Sequence, residues 1–229
     1  MEKYILKDFN YKITDASVLN RYHILPEDDA AEEILSLLKE AVSVARPKAV
    51  FCIAPVEKGE DYVIIDNTKI DNHFLRVNLD ETDRVFPHVA TCGLEIHKWF
   101  EEIEDPVLKY WADGICEMIL GAASRELHNY IKKNFISKDA RINTLSPGSL
   151  KEWPITAQPV LFSIIGDVAA DIGVSLTKTC LMVPFKSISG MFYTSSDNFE
   201  NCILCPIIKC PNRRAVYDPD YAEKRYGMK

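Results

Sequence analysis

Alternating apolar and polar positions predict several strands along the chain. Residues 4–13 begin with such an alternation and are expected to form an edge strand or an extended arm. The apolar run at 49–54 is typical of a buried strand, and residues 62–65 are expected to pair with it as a hairpin. Further extended segments are expected at residues 84–91 and 181–189.

Apolar residues at three- and four-residue spacing predict the main helices. The first begins at Asp28 or Asp29 and ends near Val44, before Pro47. Its expected buried stripe consists of Ile34, Leu35, Leu37, Leu38, Ala41 and Val42. Another helix is expected to begin near Gly93, a long one follows Pro106 towards Phe135, and a third main helix covers 156–172.

The order of these elements predicts a single mixed α+β domain. Gly173 occupies the position that a left-handed helix end requires, and residues 146–149 form a loop between helices. No linker, internal repeat or low-complexity segment divides the chain. We therefore expect helices packed on one sheet.

Composition excludes some functional classes. The 229 residues have 47% hydrophobic and 27% charged residues and a net charge of −7, which argues against a nucleic-acid binder. No apolar stretch reaches the roughly 18–20 residues of a membrane span. A cytoplasmic protein that does not bind membranes is expected. The five histidines lack metal-binding spacing, and we expect them to be structural or on the surface.

The segment 146–192 carries a family resemblance. Ser146-Pro147-Gly148 precedes the third main helix, and after it the chain reads Gly173-Val174-Ser175-Leu176-Thr177, then Met182, Pro184, Ser187, Ser189 and Gly190. This pattern resembles the activation (reactivation) domain of cobalamin-dependent methionine synthase. The spacing from Leu176 to Gly190 agrees with the family pattern without a gap.

The resemblance implies a C-shaped α+β domain with a twisted, mostly antiparallel sheet. It also implies a partner, a corrinoid-binding protein or domain whose oxidised cobalamin is returned to the methylated state with S-adenosylmethionine as methyl donor. By resemblance, the residues facing the donor or the corrinoid are Arg141, Ser146, Pro147, Gly148, Ser149, Met182, Pro184, Ser187, Ser189 and Gly190. Ser187 and Ser189 could equally cap the chain, and the two glycines could be turn residues.

Several donor-binding positions depart from the family pattern. Thr144 replaces an Arg, Ser149 replaces a Tyr, and a helical Glu aligns with Gly121. Losing the Arg removes a bidentate partner for a carboxylate, although Arg141 could substitute for it. We therefore expect S-adenosylmethionine to bind weakly. Phe199 is the remnant of a tyrosine pair in the family.

A cysteine-containing tail distinguishes the chain from this family. Cys202, Cys205 and Cys210 lie within nine residues, and proline follows the last two. Such spacing indicates an iron–sulfur cluster, with structural zinc or free redox thiols as alternatives. Cys180 is the best candidate for a fourth ligand; Cys116, Cys92 and Asp218 are the others.

The functional hypotheses follow from these two features. We divide the chain into an activation-domain-like part, 1–200, and a tail, 201–229, packed on the same domain. The leading hypothesis is an accessory protein of corrinoid methyl transfer, in which the cysteines relay one electron. The alternatives are a methyltransferase component that uses S-adenosylmethionine and a binding module whose tail is held by zinc.

Overall fold

Seven strands of the computed structural model form one antiparallel sheet. The structure describes residues 1–7, 9–196, 199–210 and 213–227. The strands are β1 (Glu2–Leu6), β2 (Lys48–Lys58), β3 (Val63–Ile65), β4 (Thr68–Ile70), β5 (Arg84–Thr91), β6 (Arg141–Leu145), β7 (Ser175–Leu176), β8 (Met182–Val183) and β9 (Ser187–Ser195). The order is β4-β3-β2-β5-β9-β6, β1 pairs with β2, and β7 and β8 pair separately.

Eight helices surround the sheet in the described part of the chain. They are α1 (Asp15–Tyr22), α2 (Asp29–Val44), α3 (His73–Asn78), α4 (Leu94–Glu101), α5 (Pro106–Phe135), α6 (Gln158–Ile165), α7 (Val168–Ile172) and α8 (Tyr221–Tyr226). The α+β class and the antiparallel sheet with helices packed on it are confirmed. None of the helices in the described ranges has the length and hydropathy to cross a bilayer.

The two faces of the sheet bury different helices because side chains alternate along each strand. On β2, Phe51 joins a cluster with Leu127 and Ile131 of α5. The next residue, Cys52, joins the opposite cluster, which contains Leu161 of α6. A third cluster joins α1, α2 and α4 to the first half of α5.

The long helix α5 agrees closely with its prediction. Asp105 Oδ1 accepts hydrogen bonds from the backbone N–H groups of Val107 and Leu108 at 2.8 and 3.0 Å, which fixes the start of the helix beside Pro106. The predicted inward residues Trp111 and Ile115 are buried. Each such side chain contributes roughly 2 kcal/mol by leaving water.

The predicted continuous helix at 156–172 is wrong. The segment begins with a 3-10 turn, Ile155–Ala157, and breaks between α6 and α7 at Gly166, whose φ is +99°. Asp167 then caps α7 by accepting a hydrogen bond from Ala170 N at 3.0 Å. Gly173 has φ +76°, the left-handed end that the sequence predicts.

Other elements differ in detail from the sequence-based expectation. α1, α3 and β6 are additional to the predicted elements. β1 includes only the beginning of the predicted edge segment and pairs with β2 from Glu2↔Ile53 to Leu6↔Ala49. Val42, expected to be buried, is 39% exposed.

The C-terminal tail packs on the same core. Tyr226 is 4% exposed and its hydroxyl lies 3.1 Å from Asn78 Nδ2 of α3. Phe199 is also buried, with its ring centroid 5.8 Å from that of Phe74. These contacts hold the chain to the core just before the tail, at Phe199, and near its end, at Tyr226, while a boundary near residue 200 stays a prediction.

Candidate functional site

A depression of about 390 Å³ lies where β6, β9 and the middle of α5 meet. Three hydroxyl-bearing residues line it: Ser124 from α5, Thr144 from β6 and Ser146 just after β6. The remaining lining residues are His88, Arg125, His128, Ile188, Ser189, Phe192 and Arg214. We call this depression the hydroxyl pocket.

A second depression of about 640 Å³ adjoins the hydroxyl pocket. The two share Ser124, Arg125 and Ile188 and so adjoin along α5; we call them together the groove. Gly121, where the resemblance places a helical Glu, lines the second part. The groove therefore places residues of the predicted site next to side chains of α5.

The predicted loop 146–149 meets the predicted segment 182–190 at one point. Gly190 lies opposite His88 in the sheet, and a Cβ at Gly190 would lie 2.6 Å from Leu145 O and 2.7 Å from Ser146 Oγ. Only glycine permits this approach. The glycine thus brings two strands together, and it leaves Ser146 at the pocket.

The other residues of the loop, Pro147 to Ser149, form a turn and do not line the hydroxyl pocket. Gly148 has φ +85° and its N–H donates to Trp153 O at 2.8 Å. Pro147 is buried, whereas Gly148 and Ser149 are exposed and do not line the hydroxyl pocket. Their predicted contact with a ligand is not supported by this placement.

The two predicted serine hydroxyls already have partners inside the protein. Ser189 Oγ donates to Gln158 Oε1 at 2.6 Å. Ser187 Oγ lies 2.7 Å from the carbonyl oxygen of Pro184 and 2.9 Å from Thr91 Oγ1. Pro184 and Met182 do not line the hydroxyl pocket, and Met182 packs against the core instead.

Arg141 does not join these residues. It pairs with Ser195 at the far end of β6 and lines a separate depression with Glu81 and Asp139. Thr144 is the residue of β6 that reaches the hydroxyl pocket. Arg141 therefore lies outside the hydroxyl pocket, and a role for it in place of the family's Arg stays a prediction.

Two histidines expected to be merely structural line the pocket. His88 is 2% exposed, its Nδ1 lies 3.1 Å from Phe86 O, and its ring stacks on Phe192 with centroids 4.0 Å apart. Burial lowers the pKa of His88 to about 4, so the ring is neutral at pH 7. Burial also lowers the pKa of His128.

Arg125 is the main site residue that the sequence analysis missed. It lies four residues after Gly121, hence on the same face of α5, and lines both parts of the groove. Within the described residues, Arg125 has neither an ion pair nor a hydrogen bond. The available signal was this four-residue spacing from the position of the family's Glu.

The cysteine tail does not form the predicted metal site in this structure. Among residues 1–7, 9–196, 199–210 and 213–227, no three His, Cys, Asp or Glu side chains are arranged to hold a metal ion. Cys202, Cys205, Cys210 and Cys180 are therefore not brought together as ligands, and Pro211 lies outside the described residues. Metal binding by these cysteines stays a prediction.

An arginine occupies the centre of this tail segment instead. Arg213 donates through Nη1 to the carbonyl oxygens of Cys202 at 2.8 Å and Ala215 at 2.9 Å. Through Nη2 it donates to those of Cys205 and Ile207, both at 2.7 Å. Charge-assisted hydrogen bonds of this kind are about twice as strong as neutral ones. The guanidinium therefore organises the loop that contains two of the three cysteines.

The alternative fourth ligands also lie elsewhere. Cys92 and Cys116 belong to the helical cluster around α2 and α5, where Cys92 Sγ donates to Cys116 O at 3.3 Å. Burial raises the pKa of Cys116 to about 12 and raises the pKa of Cys92 as well, which keeps both thiols protonated at pH 7.

The tail contributes Arg214 to the hydroxyl pocket. Its backbone N–H donates to Cys202 Sγ at 3.4 Å, and its guanidinium pairs with Glu200 at 3.1 Å. Because Arg213 fixes the neighbouring backbone, Arg214 is held at the pocket edge. The tail thus completes one wall of the groove.

Comparison with known proteins finds solved structures of similar fold but no matching sequence family. No family model and no curated protein matches the chain. Thirteen chains of solved structures match it, among them a crystal structure of the MetH reactivation domain bound to AdoHcy. The match has a TM-score of 0.64 and 14% sequence identity, and it covers 87% of this chain and 80% of the other.

Proposed function

From this shared fold, we propose that the protein is an accessory of corrinoid-dependent methyl transfer. It docks on a protein or domain that carries cobalamin and supports the return of oxidised cobalamin to its methylated form. The observation that carries the proposal is the match with a reactivation domain over most of both chains.

The groove supports this role. The matched domain is bound to AdoHcy, the product that remains when S-adenosylmethionine loses its methyl group. In this chain, the residues matching the resemblance at the end of β6 and on β9, Ser146 and Ser189, line a concave surface beside α5. A concave surface is the usual shape of a small-molecule site.

A second candidate is a methyltransferase component that itself binds S-adenosylmethionine. The AdoHcy in the matched structure favours it. Against it, Thr144 and Gly121 occupy the positions of the family's Arg and Glu, and Arg141 lies away from the groove. We therefore favour the accessory role over donor-dependent catalysis by this chain.

The electron relay is the part of the hypothesis with least structural support. An iron–sulfur cluster would need thiolates that converge, and Arg213 holds the loop of Cys202 and Cys205 through carbonyl oxygens instead. In the proposal, the electron therefore comes from a separate reductant. Anaerobic purification with iron and zinc analysis tests whether the tail carries a metal.

Docking tests the proposal directly. The probe is the cobalamin-binding domain of a methionine synthase, loaded with cob(II)alamin and titrated with the purified protein. We expect saturable binding with a Kd of about 100 μM or lower and a change in the corrinoid absorbance spectrum. The control is serum albumin at the same concentration. No binding and no spectral change would overturn the proposal.

A further inference from the structure

We propose that the groove binds the phosphate or carboxylate group of a small anionic ligand between Arg125 of α5 and Arg214 of the tail. This goes beyond the proposed function, because it concerns the protein alone and needs no corrinoid partner. It assigns a ligand class to the groove and a role to the tail.

The first observation behind the proposal is the distribution of charge along the groove. The chain has a net charge of −7, yet four cationic side chains and one carboxylate line its groove within the described part of the chain. The cations are Lys12, Arg21, Arg125 and Arg214, and the carboxylate is Glu117. Glu117 already pairs with Arg21. A positive groove on an acidic protein attracts anions selectively.

The unpaired state of Arg125 is the second observation. Two other guanidinium groups of the groove have carboxylate partners, Arg21 with Glu117 and Arg214 with Glu200. Arg125, which is exposed on α5, has no such ion pair among the described residues and lines both parts of the groove. Its planar fork of N–H donors is suited to a phosphate or carboxylate.

The hydroxyl pocket supplies neutral donors around the same centre. Ser124, Thr144 and Ser146 line it, and none of the Asp or Glu residues that the structure describes does. His88 is buried beside them, but its neutral ring donates through Nδ1 to Phe86 O, so Nε2 is an acceptor and adds no donor to the pocket. Among the described residues, the pocket therefore has arginines and hydroxyls but no negative charge to balance a sulfonium or ammonium group.

Arg214 lines the same pocket from the tail. Glu200 engages its Nη2 at 3.1 Å, which leaves other N–H groups of the guanidinium for a ligand. The four carbonyl contacts of Arg213 hold the adjacent backbone in place. A preformed position lowers the entropic cost of using a long side chain for binding.

Calorimetric titration of the full chain tests the proposal. Pyrophosphate and citrate are the two probes, used at low ionic strength, and they distinguish a phosphate from a carboxylate ligand. We expect at least one to bind with a Kd below about 10 mM. Arg125→Gln and Arg214→Gln should each weaken that binding at least about tenfold, because each removes charge-assisted hydrogen bonds.

Arg141→Gln is the matched control, since Arg141 is an exposed arginine on a separate depression. It should leave the affinity within about twofold of wild type. Absence of saturable binding by both anions would overturn the proposal. An equal loss in Arg141→Gln, or tighter binding of S-adenosylmethionine than of either anion, would overturn it as well. Failure of corrinoid docking would leave this result unaffected.

Discussion

Arg213 Nη1 donates a 2.8 Å hydrogen bond to the carbonyl oxygen of Cys202, in a loop whose spacing of cysteines suggests a metal site. The same guanidinium also binds Cys205 O at 2.7 Å. In this structure the group at the centre of the loop is therefore the Arg213 guanidinium, whereas the cysteine spacing suggests a metal ion. A tail held by Arg213 and a tail held by a metal ion should respond in opposite ways to substitution of the arginine and of a cysteine.

Arg213→Lys should loosen the tail. Lysine has three donors on one flexible atom and cannot reproduce the planar arrangement that reaches four carbonyl oxygens. We expect limited proteolysis to cut the segment 201–215 at least about fivefold faster than in wild type, with the core intact. Cys205→Ser is the comparison variant and should digest at the wild-type rate.

The reverse pattern would contradict this account of the tail. If Cys205→Ser lost stoichiometric iron or zinc and digested faster, while Arg213→Lys did not, the metal would be the group that holds the tail. Both proteins should be prepared without oxygen, so that thiol oxidation does not mimic either result.

His88 should make stability depend on pH in a defined window. Its pKa is lowered to about 4 by burial, from an ordinary value of 6.5. As the pH falls through about 6.5, the unfolded chain binds a proton that the folded chain does not bind until about pH 4. The free energy of unfolding therefore falls across this window, by about 2–3 kcal/mol at pH 4.5.

Urea unfolding of wild type and His88→Gln at about pH 7 and about pH 4.5 measures this contribution. The substitution removes the proton uptake, so the variant should lose about 2–3 kcal/mol less than wild type between the two pH values. Carboxylates and His128 titrate in both proteins and cancel in the comparison. Equal losses would show that burial of His88 is not linked to proton binding.

Restoring the two charged residues of the family pattern should restore the methyl-donor site. Gly121→Glu is sterically feasible, since the nearest neighbour of a new Cβ outside the local helix backbone is Arg125 Nη1 at 3.5 Å. Together with Thr144→Arg, it should raise the affinity for S-adenosylmethionine at least about tenfold. The new glutamate also faces Arg125 one helical turn away and should weaken anion binding.

Calorimetry on the double variant and on each single variant measures both effects. Gly121→Ala controls for loss of the glycine, because it adds a Cβ, as glutamate does, without adding charge. Unaltered affinity for S-adenosylmethionine in the double variant would mean that the groove does not correspond to the donor site of the matched fold.

The sequence predicts those elements whose signals are local. Asp105 and Pro106 mark the start of α5, and its apolar spacing identifies Trp111 and Ile115 as buried. β6 is five residues long, and its pairing with β9 bridges about fifty residues of chain, so no local pattern reveals it. Long-range pairing is decided by tertiary packing.

The site was predictable only in part for the same reason. Ser146 and Gly190 follow from the family pattern, and the structure places them side by side. Arg125 and Arg214 come from a helix and from the tail, and nothing in their separate sequence contexts indicates that they share a pocket. Their juxtaposition depends on how α5 and the tail pack against β9.

Recovery of methylated corrinoid tests the central claim most directly. A cobalamin-binding domain loaded with cob(II)alamin is incubated with a one-electron reductant and S-adenosylmethionine, with and without the protein. The absorbance of methylcobalamin is followed over time. The account predicts that the protein accelerates its appearance at least about tenfold. An identical rate with and without the protein would contradict the account.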